Sequence, residues 1–182
     1  MKKFQKHRNK LIFDDGSQIF VTKEMIQKFT LQGKEILSEE EYEELIRYRI
    51  RLSAYTWLSK RDYSAKELEM KLSRYCSQKQ WILDLIEDLQ EQEYLDDYHY
   101  AVQWIQSKKY GRSKMEYLLL QKGLSREIVK KALEETYESD LDEIVRVWNK
   151  LGEKAKEKKV MALLRKGYRY SEIKKALAEI EE

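Results

Sequence analysis

The stretch Lys122-Gly123-Leu124-Ser125-Arg126-Glu127-Ile128-Val129-Lys130-Lys131-Ala132-Leu133 decides the fold. It returns 44 residues later as Lys166-Gly167-Tyr168-Arg169-Tyr170-Ser171-Glu172-Ile173-Lys174-Lys175-Ala176-Leu177, with Lys-Gly in step and Lys-Lys-Ala-Leu identical. A period in this range marks stacked helical units. Working outward, Trp57, Trp104 and Trp148 stand 47 and then 44 residues apart. The 47-residue offset also lays Ala54 on Ala101, Tyr63 on Tyr110, Leu68 on Met115, Leu72 on Leu119, Ile82 on Val129 and Ile86 on Leu133. These matches are mostly apolar, so what repeats is a core.

Each unit reads as three helices. Its third helix carries apolar residues three and four apart, the spacing of one helical face: Ile82, Leu85, Ile86 and Leu89; then Val129, Ala132 and Leu133; then Ile173, Ala176, Leu177 and Ile180. Ser64-x-x-Glu67 and Ser113-x-x-Glu116 have the form of capping boxes that open the second helices. Gly123 and Gly167 close second helices, because a residue without Cβ accepts the left-handed conformation that satisfies the last carbonyls. Cys76 takes that place in the first unit and reads as a small core residue. The repeated tryptophans read as core too, since a large aromatic on an amphipathic helix is usually buried.

The amino-terminal part differs in kind. Leu11-Ile12-Phe13 and Ile19-Phe20-Val21 flank Asp14-Asp15-Gly16, and Asp-Gly between apolar β-formers signals a hairpin. A short helix over residues 23–29 follows, and Ser38-x-x-Glu41 opens a long helix through Tyr42, Leu45, Ile46, Ile50, Ala54, Trp57 and Leu58. A lone hairpin is marginal in water, so this one docks on the helices or on a partner. The expected fold is therefore all-α: three tandem three-helix repeats in an elongated curved array, preceded by a short β-hairpin and helix. The divisions are 1–40 for the extension, 41–97 for the entry helix and first repeat, 98–139 for the second and 140–182 for the third.

Composition agrees, for among 182 residues there is no proline and only 6 glycines. The one cysteine excludes an internal disulfide and fits a reducing compartment. No apolar run nears the roughly 18 residues needed to cross a bilayer, so the expectation is a cytoplasmic, soluble protein with no membrane contact. Net charge is only +3, which makes its distribution matter more than its total. Residues 41–97 are acidic, and the rest are mildly basic.

Catalytic chemistry finds little purchase. His7, His99 and Cys76 match no zinc spacing, and Gly111, Gly123, Gly152 and Gly167 each stand apart from any phosphate-cradling loop. Asp96 and Asp97 have the form of a carboxylate pair, but just before a helical pattern they read as an N-cap and its dipole-favouring neighbour. The expectation is a monomer that is no enzyme and carries no cofactor or metal. What does recur is basic residues with an aromatic between the first and second helices: Lys60, Arg61 and Tyr63; Lys108, Lys109, Tyr110 and Arg112; and Lys154, Lys156, Lys158 and Lys159. They read as a positive stripe for phosphates or an acidic partner, or as solvated loop charge.

Leu95-Asp96-Asp97-Tyr98-His99-Tyr100-Ala101, followed by Lys108-Lys109-Tyr110-Gly111 and Leu119-x-x-Lys122-Gly123, resembles the central signature of the RecX family of bacterial regulatory proteins. Tyr63-Ser64-x-x-Glu67-Leu68-x-x-Lys71-Leu72 is similar to that family's first-unit motif, and Arg165-Lys166-Gly167-Tyr168 with Ser171 and Ile173 to its third. The resemblance implies a three-repeat helical modulator of the RecA recombinase. Such a protein binds in the groove of the filament on single-stranded DNA and inhibits recombinase, ATPase and coprotease activities. Cys76 and Lys154 depart from the pattern. The alternative is direct DNA binding, since a short helix, a glycine turn and a helix bearing Arg126, Lys130 and Lys131 have the order of a helix-turn-helix.

Overall fold

The structure, a computed structural model, describes residues 1–137 and 140–181, with the side chains of 180 and 181 left aside. The position of Ile180 on the third helical face and the repeat boundary at Ser139 thus lie outside the described residues. Two compact units form: Met1–Asp62 with Leu68–Tyr94, and Tyr63–Glu67 with Leu95–Glu182.

The first unit opens with a four-stranded antiparallel sheet in the order β3-β2-β1-β4, made of β1 (Lys2–His7), β2 (Lys10–Phe13), β3 (Gln18–Phe20) and β4 (Ile36–Leu37). The expected hairpin is β2–β3, with Leu11 opposite Ile19 and Gly16 at φ +80° in the turn. β1 and β4 are additions to the expectation. β1 buries only Phe4, and β4 is two residues long and pairs across the intervening hairpin and helix, so neither leaves an apolar period to read. The sheet docks on a helix of its own unit: Phe4, Leu11, Phe13 and Ile19 are buried, and Phe13 meets Tyr42 edge-on at 5.3 Å.

Short α1 (Lys23–Lys28) leads to α2 (Glu39–Leu58), which begins with the expected capping box at Ser38 and Glu41. Leu45, Ile46, Ile50 and Ala54 are its buried stripe. α3 (Ala65–Leu72) and α4 (Lys79–Glu91) complete the first three-helix repeat, with Ile82, Leu85, Ile86 and Leu89 all buried. Arg47 and Arg51 of α2 reach Asp84 and Asp88 of α4 at 3.1 and 2.7 Å.

The second and third repeats each own a core. α5 (Asp97–Ser107), α6 (Arg112–Gln121) and α7 (Arg126–Thr136) enclose Ala101, Ile105, Met115, Leu119, Val129 and Leu133. α8 (Leu141–Lys150), α9 (Lys156–Arg165) and α10 (Tyr170–Glu181) enclose Ile144, Leu163, Ile173, Ala176 and Leu177. Gly123 and Gly167 take φ of +83° and +89°, and the amides of Leu124 and Tyr168 reach back to the carbonyls of Leu119 and Leu163, closing α6 and α9 as expected. Cys76 closes α3 without the left-handed conformation, its N–H donating a hydrogen bond to the Leu72 carbonyl at 3.1 Å, and is buried.

One capping expectation is corrected. Ser64 accepts from the Glu67 amide at 3.1 Å as read, but Ser113 lies inside α6, whose N-cap is Gly111. The residue equivalent to Ser64 at the 47-residue offset is Gly111, and the reason is close approach. A Cβ there would stand 2.3 Å from the carbonyl carbon of Gly167.

Candidate interaction surface

The second unit is held together by a junction that occurs twice. The Ser64 hydroxyl, at the start of α3, donates to the Lys122 carbonyl at the end of α6 at 2.8 Å. One repeat later the Gly111 amide, at the start of α6, donates to the Lys166 carbonyl at the end of α9 at 2.9 Å. Each junction carries a carboxylate from the next repeat. Asp97 accepts from the Ala65 amide at 2.8 Å, and Asp140 accepts from the Arg112 backbone. Asp96 caps its own helix through the amides of Tyr98 and His99 at 2.8 and 3.0 Å. Both aspartates therefore satisfy helix amino termini, which accounts for the pair in structural terms.

Electrostatics at these junctions follow from burial. Burial pushes the Asp97 carboxyl above its ordinary pKa, while the Ala65 N–H works against the rise. Asp140 is pushed up to about 7, first by burial and then by the hydrogen bond and charge of Glu172, with the Arg112 N–H and Arg169 acting against it. Beside it, burial drives the Tyr168 hydroxyl up to about 12. Lys122 pairs with Glu67 at 2.7 Å, and the Tyr100 hydroxyl donates to the same carboxylate at 3.1 Å. Burial alone would lower the Lys122 pKa, but Glu67 and Tyr100 more than reverse it.

The basic clusters sort by exposure. Lys60 and Arg61 are exposed, with Arg61 donating to the Asp62 carbonyl at 2.8 Å. Tyr63 differs from these in exposure, for it is buried at 7%. Lys108 and Lys109 are exposed, whereas Arg112 turns inward, donating to the Leu133 carbonyl at 3.2 Å and lying over Tyr137 at 5.9 Å. Lys154, Lys156 and Lys158 are exposed. Half-buried Lys159 lies over Trp148 at 4.7 Å. Lysines and arginines with their stems on apolar surface and their charge outward are the common arrangement.

The tryptophans also move from their expected place. Trp57, Trp104 and Trp148 are half-buried, and Trp104 and Trp148 pack on the margins of their repeat cores. Each belongs to an aromatic and cationic group. Lys71 lies over Trp57 at 4.3 Å with Tyr75 beside that ring, and Trp104 stands 6.4 Å from half-buried Tyr110, over which Lys114 sits at 4.5 Å. Lys71 and Lys114 were not legible as site residues, because their relation to a ring runs through a helical turn or between elements. Among the described residues no group of three His, Cys, Asp or Glu side chains is placed to hold a metal ion, and no helix is long and apolar enough to cross a membrane.

No family model matches the chain. Regulatory protein RecX of Streptococcus pneumoniae strain Taiwan19F-14 is 29% identical over 184 aligned positions, covering 92% of this chain and 71% of that protein. The RecX of strain Hungary19A-6 gives the same identity and coverage. Among solved structures, the crystal structure of RecX from Lactobacillus salivarius superposes with a TM-score of 0.66 at 21% identity, over 75% of this chain and 97% of that one. A second crystal structure of regulatory protein RecX superposes with a TM-score of 0.57 at 18% identity, over 96% of this chain and 97% of that one. The structural likenesses speak to the fold alone. Together with the aligned relatives they bear out the resemblance carried by the Leu95–Ala101 and Lys122-Gly123 motifs: this chain is similar to the RecX regulatory proteins in sequence and in fold.

Proposed function

We propose that the chain is a regulatory protein that binds the RecA recombinase filament on single-stranded DNA and inhibits its recombinase, ATPase and coprotease activities. The observation that carries this reading is the alignment with proteins named regulatory protein RecX over 92% of the chain. It acts as a cytoplasmic monomer without a cofactor, and residues 41–97, 98–139 and 140–182 serve as its three binding modules. Exposed Lys60, Arg61, Lys108, Lys109, Lys154, Lys156 and Lys158 supply the contacts to phosphate or to acidic protein surface. Tyr110 and Lys159 border them, while Tyr63 and Arg112 hold the fold.

Direct DNA binding is the second reading, favoured by lysines over rings at Trp57, Tyr110 and Trp148, since aromatic and cationic groups together suit single strands. One experiment separates the two. RecA-driven ATP hydrolysis on single-stranded DNA is followed as the chain is titrated in, beside binding to the oligonucleotide alone. Inhibition at concentrations too low to coat the DNA supports the filament reading, and a Lys108→Glu, Lys109→Glu double variant weakens it. Unaltered hydrolysis at saturating protein overturns that reading, and tight binding to bare oligonucleotide then selects the second.

A further inference from the structure

The second helix of every repeat exposes an apolar side chain at one and the same repeat position. Met70 on α3, Tyr117 on α6 and Met161 on α9 stand at the 47- and 44-residue offsets and are 62, 58 and 50% exposed. Scattered exposed apolar residues are ordinary. Recurrence at one register is different, because these helices already bury their core faces through Leu68 and Leu72, Met115 and Leu119, and Leu163. The exposed position thus contributes nothing to the cores. Each of the three follows a lysine by three or four residues, namely Lys66, Lys114 and Lys158, and Arg74 and Arg165 come four residues after the two methionines. At that spacing the cation and the apolar residue share a face.

In the third repeat this face is concave. A groove of about 460 Å³ takes its apolar lining from Leu151, Met161 and Ala162 and its charged lining from Lys154, Lys158 and Arg165, against the single carboxylate of Glu157. Three cations around an apolar cleft complement an anionic occupant that also carries an apolar group. Methionine has no flat ring on which a base can stack, whereas its flexible thioether moulds to aliphatic and aromatic side chains. Two of the three recurring positions are methionine, which favours protein over nucleic acid.

We propose that the outward faces of α3, α6 and α9 are protein-docking surfaces, and that the groove beside Met161 takes an apolar side chain from an acidic segment of the partner. This rests on the filament reading and specifies where the protein component is held, with Lys154 and Lys158 of the groove turned to acidic protein surface and not to phosphate.

The test uses the full-length chain with Met161→Glu, Tyr117→Glu and Met161→Leu substitutions, each at an exposed position. Binding is measured to the recombinase filament assembled on an oligothymidylate and to the same oligothymidylate alone, with far-ultraviolet circular dichroism and the thermal midpoint as folding controls. Met161→Glu lowers filament affinity by roughly tenfold or more, as at the centre of a protein interface, while Met161→Leu keeps it. Binding to bare oligothymidylate changes less than about twofold. Filament affinity unchanged in Met161→Glu overturns the docking face while leaving the filament reading intact. A parallel loss on bare oligothymidylate makes the groove a nucleic-acid contact and also overturns it. A wild-type chain that fails to bind the filament removes both. Should Met161→Glu lower the thermal midpoint, Tyr117→Glu at the equivalent exposed position of α6 is read in its place, with the same outcomes.

Discussion

The amide of Gly111 donates to the carbonyl of Lys166 at 2.9 Å, and this bond brings the start of α6 against the end of α9 so closely that a Cβ on Gly111 would meet Gly167 backbone atoms at 2.3 Å and the Tyr168 amide at 2.4 Å. Gly111 has φ −65°, which any residue adopts, so its requirement for glycine is one of space. Gly111→Ala therefore costs about 1–3 kcal/mol by overpacking against backbone that cannot rotate away. Gly152→Ala is the control, since a Cβ there meets nothing within 4 Å and only its φ of +61° opposes substitution. Urea unfolding midpoints compare them, and a Gly111→Ala chain as stable as wild type refutes the close approach.

Asp140 makes the junction between the second and third repeats sensitive to pH. Its carboxyl is pushed from the ordinary 3.8 to about 7 by burial and by Glu172. The folded value lies above the unfolded one, so between those limits the folded chain holds the extra proton. Stability is greatest at the acid end and falls as pH rises through about 7. Asn in this place keeps an acceptor for the Arg112 amide and a donor toward Glu172, and it does not ionise. Between pH 5.5 and 8.5 the wild type is thus expected to lose about 1–2 kcal/mol more stability than Asp140→Asn. Parallel stability curves for the two proteins would refute the assignment.

Trp104 lies on the margin of the second core, half-buried beside Tyr110. Full burial would make Trp104→Ala cost ~3–5 kcal/mol, and a ring half in solvent is expected to cost about half of that. Trp104→Phe retains part of the contact and falls between. Chemical denaturation measures both, and a cost at the top of the fully buried range would return the ring to the core.

The threefold duplication was legible in the chain, because the apolar positions of α4, α7 and α10 recur in step and helical period is a local property. So were the Ser38 cap, the Gly123 and Gly167 closures and the Asp-Gly turn, each set by a few adjacent residues. β1 escaped notice because its alternation is nearly all polar, and its partners β2 and β4 decide its state. Ser113 misled for the opposite reason: a sound local motif lost to a neighbouring helix end that claimed Gly111 as the cap.

The candidate surface was legible only in part. The loop lysines could be named from recurrence, but whether a basic or aromatic group faces solvent depends on what packs against it. Tyr63 and Arg112 proved to serve the interior, and Met70, Tyr117 and Met161 became conspicuous only once their repeat position was found outside the cores. The sequence by itself determined the helices, their number per repeat and their buried faces, since these follow from side-chain period and end chemistry along a single stretch of chain. The tertiary structure alone decided how one repeat caps the next and which side chains remain outward, since those depend on atoms distant in sequence competing for the same backbone groups and the same space.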